Sequence, residues 1–139
     1  SDGKIAAAAA AQGVNVIGVD IGTYDFNRKP TANNYLAAST EGYVQVVDDP
    51  MVIFRVQEDG VGTSGFDAHL AIGHHADHVA GTGSTTTGIS GHTVNSDSTD
   101  EQLECVGLYE TSDNAWTDTY TEVLVLINEH HYKAASASI

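Results

Sequence analysis

Cations are scarce in this chain: Lys4, Arg28, Lys29, Arg55 and Lys133 stand against 19 acidic residues in 139, a formal net charge of -14. A surface so poor in positive charge repels phosphate, which excludes nucleic acid as a partner. Cysteine is nearly absent, and the single Cys105 allows no intrachain disulfide. Its position within the apolar-rich run 103–108 reads as a buried small hydrophobe rather than a nucleophile. No apolar run approaches the roughly 20 residues of a membrane-spanning helix, and no signal peptide is visible at the start. A soluble chain, not obviously exported and with no membrane partner, is the expectation.

What is present points to a β protein. Hydrophobic residues make up 41% and charged residues 17%, with 14 glycines, a balance that suits one globular domain with a real core. An acidic surface also stays soluble in saline surroundings, where screening shortens self-repulsion to roughly 8 Å or less. Residues 42–60, GYVQVVDDPMVIFRVQEDG, place two runs of β-branched and aromatic types around Asp48-Asp49-Pro50. They predict two strands at a corner, because proline has no backbone donor and marks a bend or an edge. Residues 14–21, VNVIGVDI, predict an earlier strand with a bulge at Gly18. Residues 22–41 read as a long surface connection, 66–72 as a weakly defined strand or turn, and 81–102 as an extended Gly/Ser/Thr/Asp loop. The clearest antiparallel pair is 103–110 with 122–128, joined through Thr111-Ser112-Asp113-Asn114-Ala115-Trp116. Trp116 beside that turn is expected to cap one end of the core, with an interface anchor as the alternative. No amphipathic helix is predicted. The fold class is all-β: a small antiparallel β-barrel or sandwich with long loops and an N-terminal arm. The expected organisation is an arm over residues 1–13, a single β domain over 14–132 and a tail over 133–139.

The strongest chemical lure is Gly73-His74-His75-Ala76-Asp77-His78-Val79-Ala80-Gly81. Its His75-x-Asp77-His78-x-x-Gly81 pattern resembles the centre of the metal-binding signature of metallo-β-lactamase-fold hydrolases. That family needs a further histidine two places before His75, where this chain has Gly73, and His74 is out of register. A different metal site could draw on His69, His74, His75, Asp77 and His78, since imidazoles suit zinc, nickel or copper. Short spacing alone favours a plainer reading, a polar loop whose histidines form hydrogen bonds or face solvent, and His130-His131 reads the same way. The carboxylates at Asp48-Asp49, Glu58-Asp59 and residues 97–101 match no spaced calcium loop and read as a solvated acidic face. Asp20 and Asp25 have no acid–base partner pattern, and Gly81-Thr82-Gly83-Ser84 lacks the lysine of a phosphate loop. No catalytic, cofactor-binding or metal-ligating residue is therefore assigned, and no enzyme activity is expected.

Several blocks recur in a characteristic order: Val16-Ile17-Gly18-Val19; residues 43–57 centred on Val47-Asp48-Asp49-Pro50; DHVAGTGSTTTGISG over 77–91; residues 102–108; Asp113-Asn114; and VLVLINEH over 123–130. In that order and spacing the chain resembles the decoration or cement proteins of tailed double-stranded DNA bacteriophage heads, over most of residues 14–131. The resemblance implies a small β-rich virion protein that clamps neighbouring major capsid subunits on the outside of the head, commonly as a homotrimer. Two features depart from that pattern, the short SDGKIAAAAAA stretch ahead of Val14 and the acidic, histidine-rich composition. A net charge of -14 suits an outer surface, away from packaged DNA. The regions expected to make contact are 22–41, 81–101 and the N-terminal arm. The alternatives are a virion appendage that binds a host receptor or glycan, and a metal-dependent hydrolase built on His75, Asp77 and His78.

Overall fold

The computed structural model describes residues 6, 7, 9, 13–32, 35–37, 39–60, 72–96 and 101–135. Among these the chain forms strands and no helix: β1 (Val19–Asp25), β2 (Gly42–Val47), β3 (Phe54–Gln57), β4 (His75–Val79), β5 (Thr93–Asn95), β6 (Leu103–Leu108) and β7 (Glu122–Ile127). They divide into a two-stranded ribbon, β1–β2, and a five-stranded sheet in the order β3-β7-β6-β4-β5, all neighbours antiparallel. The sheet curls into a half-barrel. Its two edge strands meet where Glu58 bridges Val94 in parallel and the Asp59 amide donates to the Val94 carbonyl at 3.0 Å. The protein is all-β, as its composition implies.

Strict alternation builds the core. Along β7, Val123, Val125 and Ile127 point inward and are buried, and β6 adds Leu103 and Cys105 opposite them. Ala76 of β4 and Val94 of β5 extend the same inner face, while Phe54, Val56, Val16 and Trp116 pack around it partly buried. Trp116 thus lies against the core from the β6–β7 connection. That connection is fastened by one side chain. Asn114 Nδ2 donates to the carbonyls of Tyr109 at 2.6 Å and Glu122 at 2.8 Å, and its Oδ1 accepts from the Glu122 amide at 2.8 Å. Two backbone groups that a long hairpin connection would leave open, the Tyr109 carbonyl and the Glu122 amide, are satisfied at once, and the Glu122 carbonyl, which already accepts the Tyr109 amide, gains a second donor. Ahead of the ribbon, Val16 exchanges backbone hydrogen bonds with the stretch after β7, its amide to Glu129 and its carbonyl from His131.

Several expected boundaries move. The first strand runs over Val19–Asp25 rather than 14–21, so part of the supposed 22–41 connection is strand. The register shift falls between Asp20 and Gly22, where the Asp20 carboxylate accepts the Gly22 amide at 2.8 Å; Gly18 is instead the ribbon's root. A Cβ at Gly18 would lie 1.9 Å from the Val47 carbonyl oxygen, and its φ is +149°. The corner after β2 is also longer than predicted. Asp49 accepts the Met51 amide through its carboxylate at 2.8 Å and the Val52 amide through its carbonyl at 3.2 Å, which winds 49–52 into a turn. Met51 and Ile53 are consequently exposed, not core. The stretch 75–79, read as a polar loop, is a strand, and 81–102 contains β5 with fully buried Val94. Most of the 66–72 stretch lies outside the described residues.

Candidate interaction surface

The ribbon differs from the half-barrel in what covers it. Its register pairs Tyr24 with Tyr43, Gly22 with Gln45 and Val19 with Val47 on one face, and Thr23 with Val44 and Asp20 with Val46 on the other. The second face is covered from within the chain. Thr23 is buried, its hydroxyl 2.5 Å from that of Thr31, and the Thr31 amide donates to the Thr23 carbonyl at 3.0 Å. Leu36 closes over Gly42, where a Cβ would stand 2.7 Å from Leu36 Cδ1. The first face is open: Val19 and Tyr43 are exposed, as are Ile21 at the bulge and Phe26 at the tip. The Tyr24 hydroxyl donates to Gln45 Oε1 at 3.1 Å, and the Arg28 guanidinium lies 5.2 Å from the Tyr43 ring centroid.

The tip is a tight turn. The Arg28 amide donates to the Asp25 carbonyl, the Asp25 amide to the Lys29 carbonyl, and the Asp25 carboxylate accepts the Lys29 amide at 2.9 Å. Arg28 takes φ 62° to close it. Arg28 and Lys29 are two of the chain's five basic residues, and the ribbon and its connection pair them with only Asp20, Asp25 and Glu41. This part is therefore close to charge balance on a molecule of -14. An exposed row of aromatic and β-branched side chains, undiluted by acid, is a surface that buries favourably against a partner.

The histidine motif does not converge. Strand alternation sends His75 and Asp77 to one face of β4 and His78 to the other. His75 is buried with Nδ1 3.5 Å from the Glu101 carboxylate, and Asp77 accepts the Glu101 amide at 3.0 Å. On the inner face, His78 Nε2 lies 2.6 Å from Nδ1 of His92, a residue that sequence reasoning passed over because β5 was not foreseen. His74 contributes its carbonyl to the Cys105 amide. His130 is buried, its Nδ1 accepting the Tyr132 amide, whereas His131 is exposed as expected. His69 lies outside the described residues. Among the described residues no three His, Cys, Asp or Glu side chains are placed to hold a metal ion.

Two further groups are buried. Cys105 sits in the core, where desolvation pushes its thiol pKa up, against a smaller opposing effect of hydrogen bonding with the Gly107 backbone. Glu58 was expected on a solvated acidic face and is instead 3% exposed, with Oε2 buried and unpartnered. Burial first, and the neighbouring Asp59 second, raise its carboxyl pKa. Asp59 itself accepts from Asn95 Nδ2 at 2.9 Å. Asp48 and Asp49 are exposed at the corner. Beside Glu58 the half-barrel leaves a groove of about 360 Å³ between β3 and the segment entering β5, lined by Arg55, Gln57, Ile89, His92, Thr93 and Glu122 among others. Comparison with protein families, curated proteins and solved structures returned no match.

Proposed function

We propose that this protein is a virion structural protein, a decoration or cement protein that binds the outer surface of a tailed-phage major capsid lattice as a homotrimer and stabilises the mature head. The observation that carries this reading is the ribbon. It presents Val19, Ile21, Phe26 and Tyr43 to solvent on a near-neutral stretch of a strongly acidic molecule. The order of sequence blocks supports the same reading. A two-stranded ribbon is marginal in water by itself, so its apolar face is best explained by a partner that covers it. The half-barrel, with its own core, is the rigid base from which the ribbon is held out.

The test is sedimentation of the purified protein with expanded heads stripped of their native decoration. Binding and a rise in head resistance to heat are expected, and failure to co-sediment overturns the proposal. Tyr43→Ala should weaken binding roughly tenfold to thirtyfold, the loss of about 1.4–2 kcal/mol at an aromatic contact, with the fold intact. Unchanged binding by a folded Val19→Ala/Tyr43→Ala variant removes the ribbon from the interface. A second reading, a surface appendage that binds a host glycan, is favoured by the Tyr24–Tyr43 pair with Gln45 beside it, since sugars stack on aromatic faces and bond to amides. Binding to host cells but not to heads selects that reading.

A further inference from the structure

Residues 80–92 join β4 to β5, and the last four of them, 89–92, form one wall of the groove beside β3. The strap is held in three ways. Gly81 and Gly91 approach so closely that a Cβ at Gly81 would lie 1.9 Å from the Gly91 carbonyl oxygen. At its far end the Ser84 amide donates to the Ile89 carbonyl at 2.9 Å and the Gly88 amide to the Ser84 carbonyl at 2.8 Å. Its return end is fixed to β4 by His78 Nε2 and His92 Nδ1 at 2.6 Å, with the two rings 4.7 Å apart between centroids.

At that separation only one proton fits between the two nitrogens. His78 Nδ1 is buried and has no partner. A buried N–H without an acceptor costs more than a bare lone pair, so the favoured arrangement has His78 Nε2–H donating to His92 Nδ1, with His78 Nδ1 unprotonated. A further proton then has two destinations, both unfavourable. On His78 Nδ1 it creates a buried cation with an unpaired donor. On His92 Nδ1 it sets two N–H groups against each other. Desolvation, and then His92, accordingly lower the His78 pKa from its usual value. The other inward neighbours supply no strong compensation. Ala76 and Val94 are apolar, Cys105 is a neutral thiol, and Glu58, across Val94, has its own carboxyl pKa raised by burial and by Asp59. Arg55 and Glu122 line the groove beside His92 and stand within 3.8 Å of each other, and Asp59 is bonded to Asn95.

We infer that the His78–His92 pair is a proton-sensitive latch, which pins residues 81–92 to β4 when neutral and lets them lift away, widening the groove beside β3, when the imidazoles take up protons. The sign follows from linkage. Opened, the His78 ring is solvated and titrates near pH 6.5; closed, its burial resists protonation. The latch is therefore fully engaged above about pH 6.5 and weakens as pH falls below it.

Hydrogen exchange of the full-length protein at pH 7.5 and 5.5, corrected for intrinsic rates, tests this. Opening of residues 80–93 should rise roughly tenfold or more at the lower pH, while β6 and β7 amides keep their protection. In His92→Phe, which keeps a ring but cannot titrate, that pH response should shrink sharply, and in the exposed-site control His131→Gln it should persist. Should His92→Phe disturb the fold, ring-nitrogen NMR of the parent still decides. Independent titration of both imidazoles near pH 6.5, or strap exchange unchanged between the two pH values, overturns the latch. An equal pH response in a folded His92→Phe does the same.

Discussion

The β1–β2 ribbon and the β3–β7 half-barrel are built from the same residue types and end in opposite conditions. Val123, Val125 and Ile127 alternate inward along β7 and are at most 3% exposed, whereas Val19, Tyr43 and Ile21 of the ribbon are 41%, 44% and 60% exposed. Propensity is satisfied in both, since β-branched and aromatic side chains suit a pleated backbone. The difference lies in the second layer. The half-barrel curls until its own strands cover its inner face, while one face of the ribbon is covered by Thr31 and Leu36 and the other, apart from Arg28 beside Tyr43, is open among the described residues. Stability is thus concentrated in the barrel, and the ribbon's apolar surface is available for binding.

Matched truncations break this comparison if it is wrong. Val125→Ala deletes two buried methyl groups beside Phe54 and Cys105 and should cost roughly 2–3 kcal/mol of unfolding free energy in urea. Val19→Ala removes the same atoms from an exposed position and should stay within about 0.5 kcal/mol of the parent. Similar losses at both sites would mean that the ribbon's open face is covered within the folded protein, and the proposed interface would fail with it.

The parts legible in the sequence are those whose partners are local. The pair β6–β7 fell within two residues of its expected bounds, because Leu103 and Cys105 face Ile127 and Val125 in strict alternation and Asn114 marks the connection. The strands β4 and β5 were not legible. His75, Asp77, His78 and Asn95 look like loop residues, and what allows them to be buried or half-buried in strands comes from afar: Glu101, Asn128, His92 and Asp59. Local patterning cannot price a polar side chain whose hydrogen-bond partner is distant in sequence. Residues 51–53 failed for the converse reason. Met51, Val52 and Ile53 look like strand, but the Asp49 side chain and carbonyl capture the next amides and turn the chain. The candidate surface was half visible. Tyr43 and Val19 were recognised as strand residues, yet alternation is the same whether a face meets a core or solvent.

The two regions also differ in how their connections are held, and the next largest effect should appear there. The ribbon's tip relies on backbone turns and the Asp25 carboxylate, in solvent. The barrel's β6–β7 connection depends on Asn114, whose amide makes three bonds to backbone groups of Tyr109 and Glu122. Asn114→Ala leaves the Tyr109 carbonyl and the Glu122 amide unsatisfied or rehydrated and should cost about 2 kcal/mol in thermal or urea unfolding. Asp25→Ala at the exposed tip should cost well under half as much. A negligible loss at Asn114 would show that water replaces the side chain freely and that this end of the barrel is as loosely held as the ribbon.

The smallest effect separates the regions by pH. Glu58 brings a carboxyl into the barrel with one buried, unpartnered oxygen, and burial together with Asp59 raises its pKa above the usual 4.5; the ribbon carries no buried acid of this kind among the described residues. A carboxyl whose folded pKa exceeds its unfolded one stabilises the fold when protonated, below its ordinary pKa. That contribution disappears as pH rises through the raised value. Ionised in the folded protein, Glu58 is therefore a net burden on the closure between β3 and β5. Glu58→Gln removes the charge while keeping the shape, so the variant should unfold about 1 kcal/mol harder than the parent at pH 7, and the difference should fade toward pH 4. Chemical denaturation across that range reads the sign directly. A Glu58→Gln variant that is weaker at pH 7 would mean that the carboxylate is stabilised where it sits, and the seam of the barrel would then be held by that charge rather than strained by it.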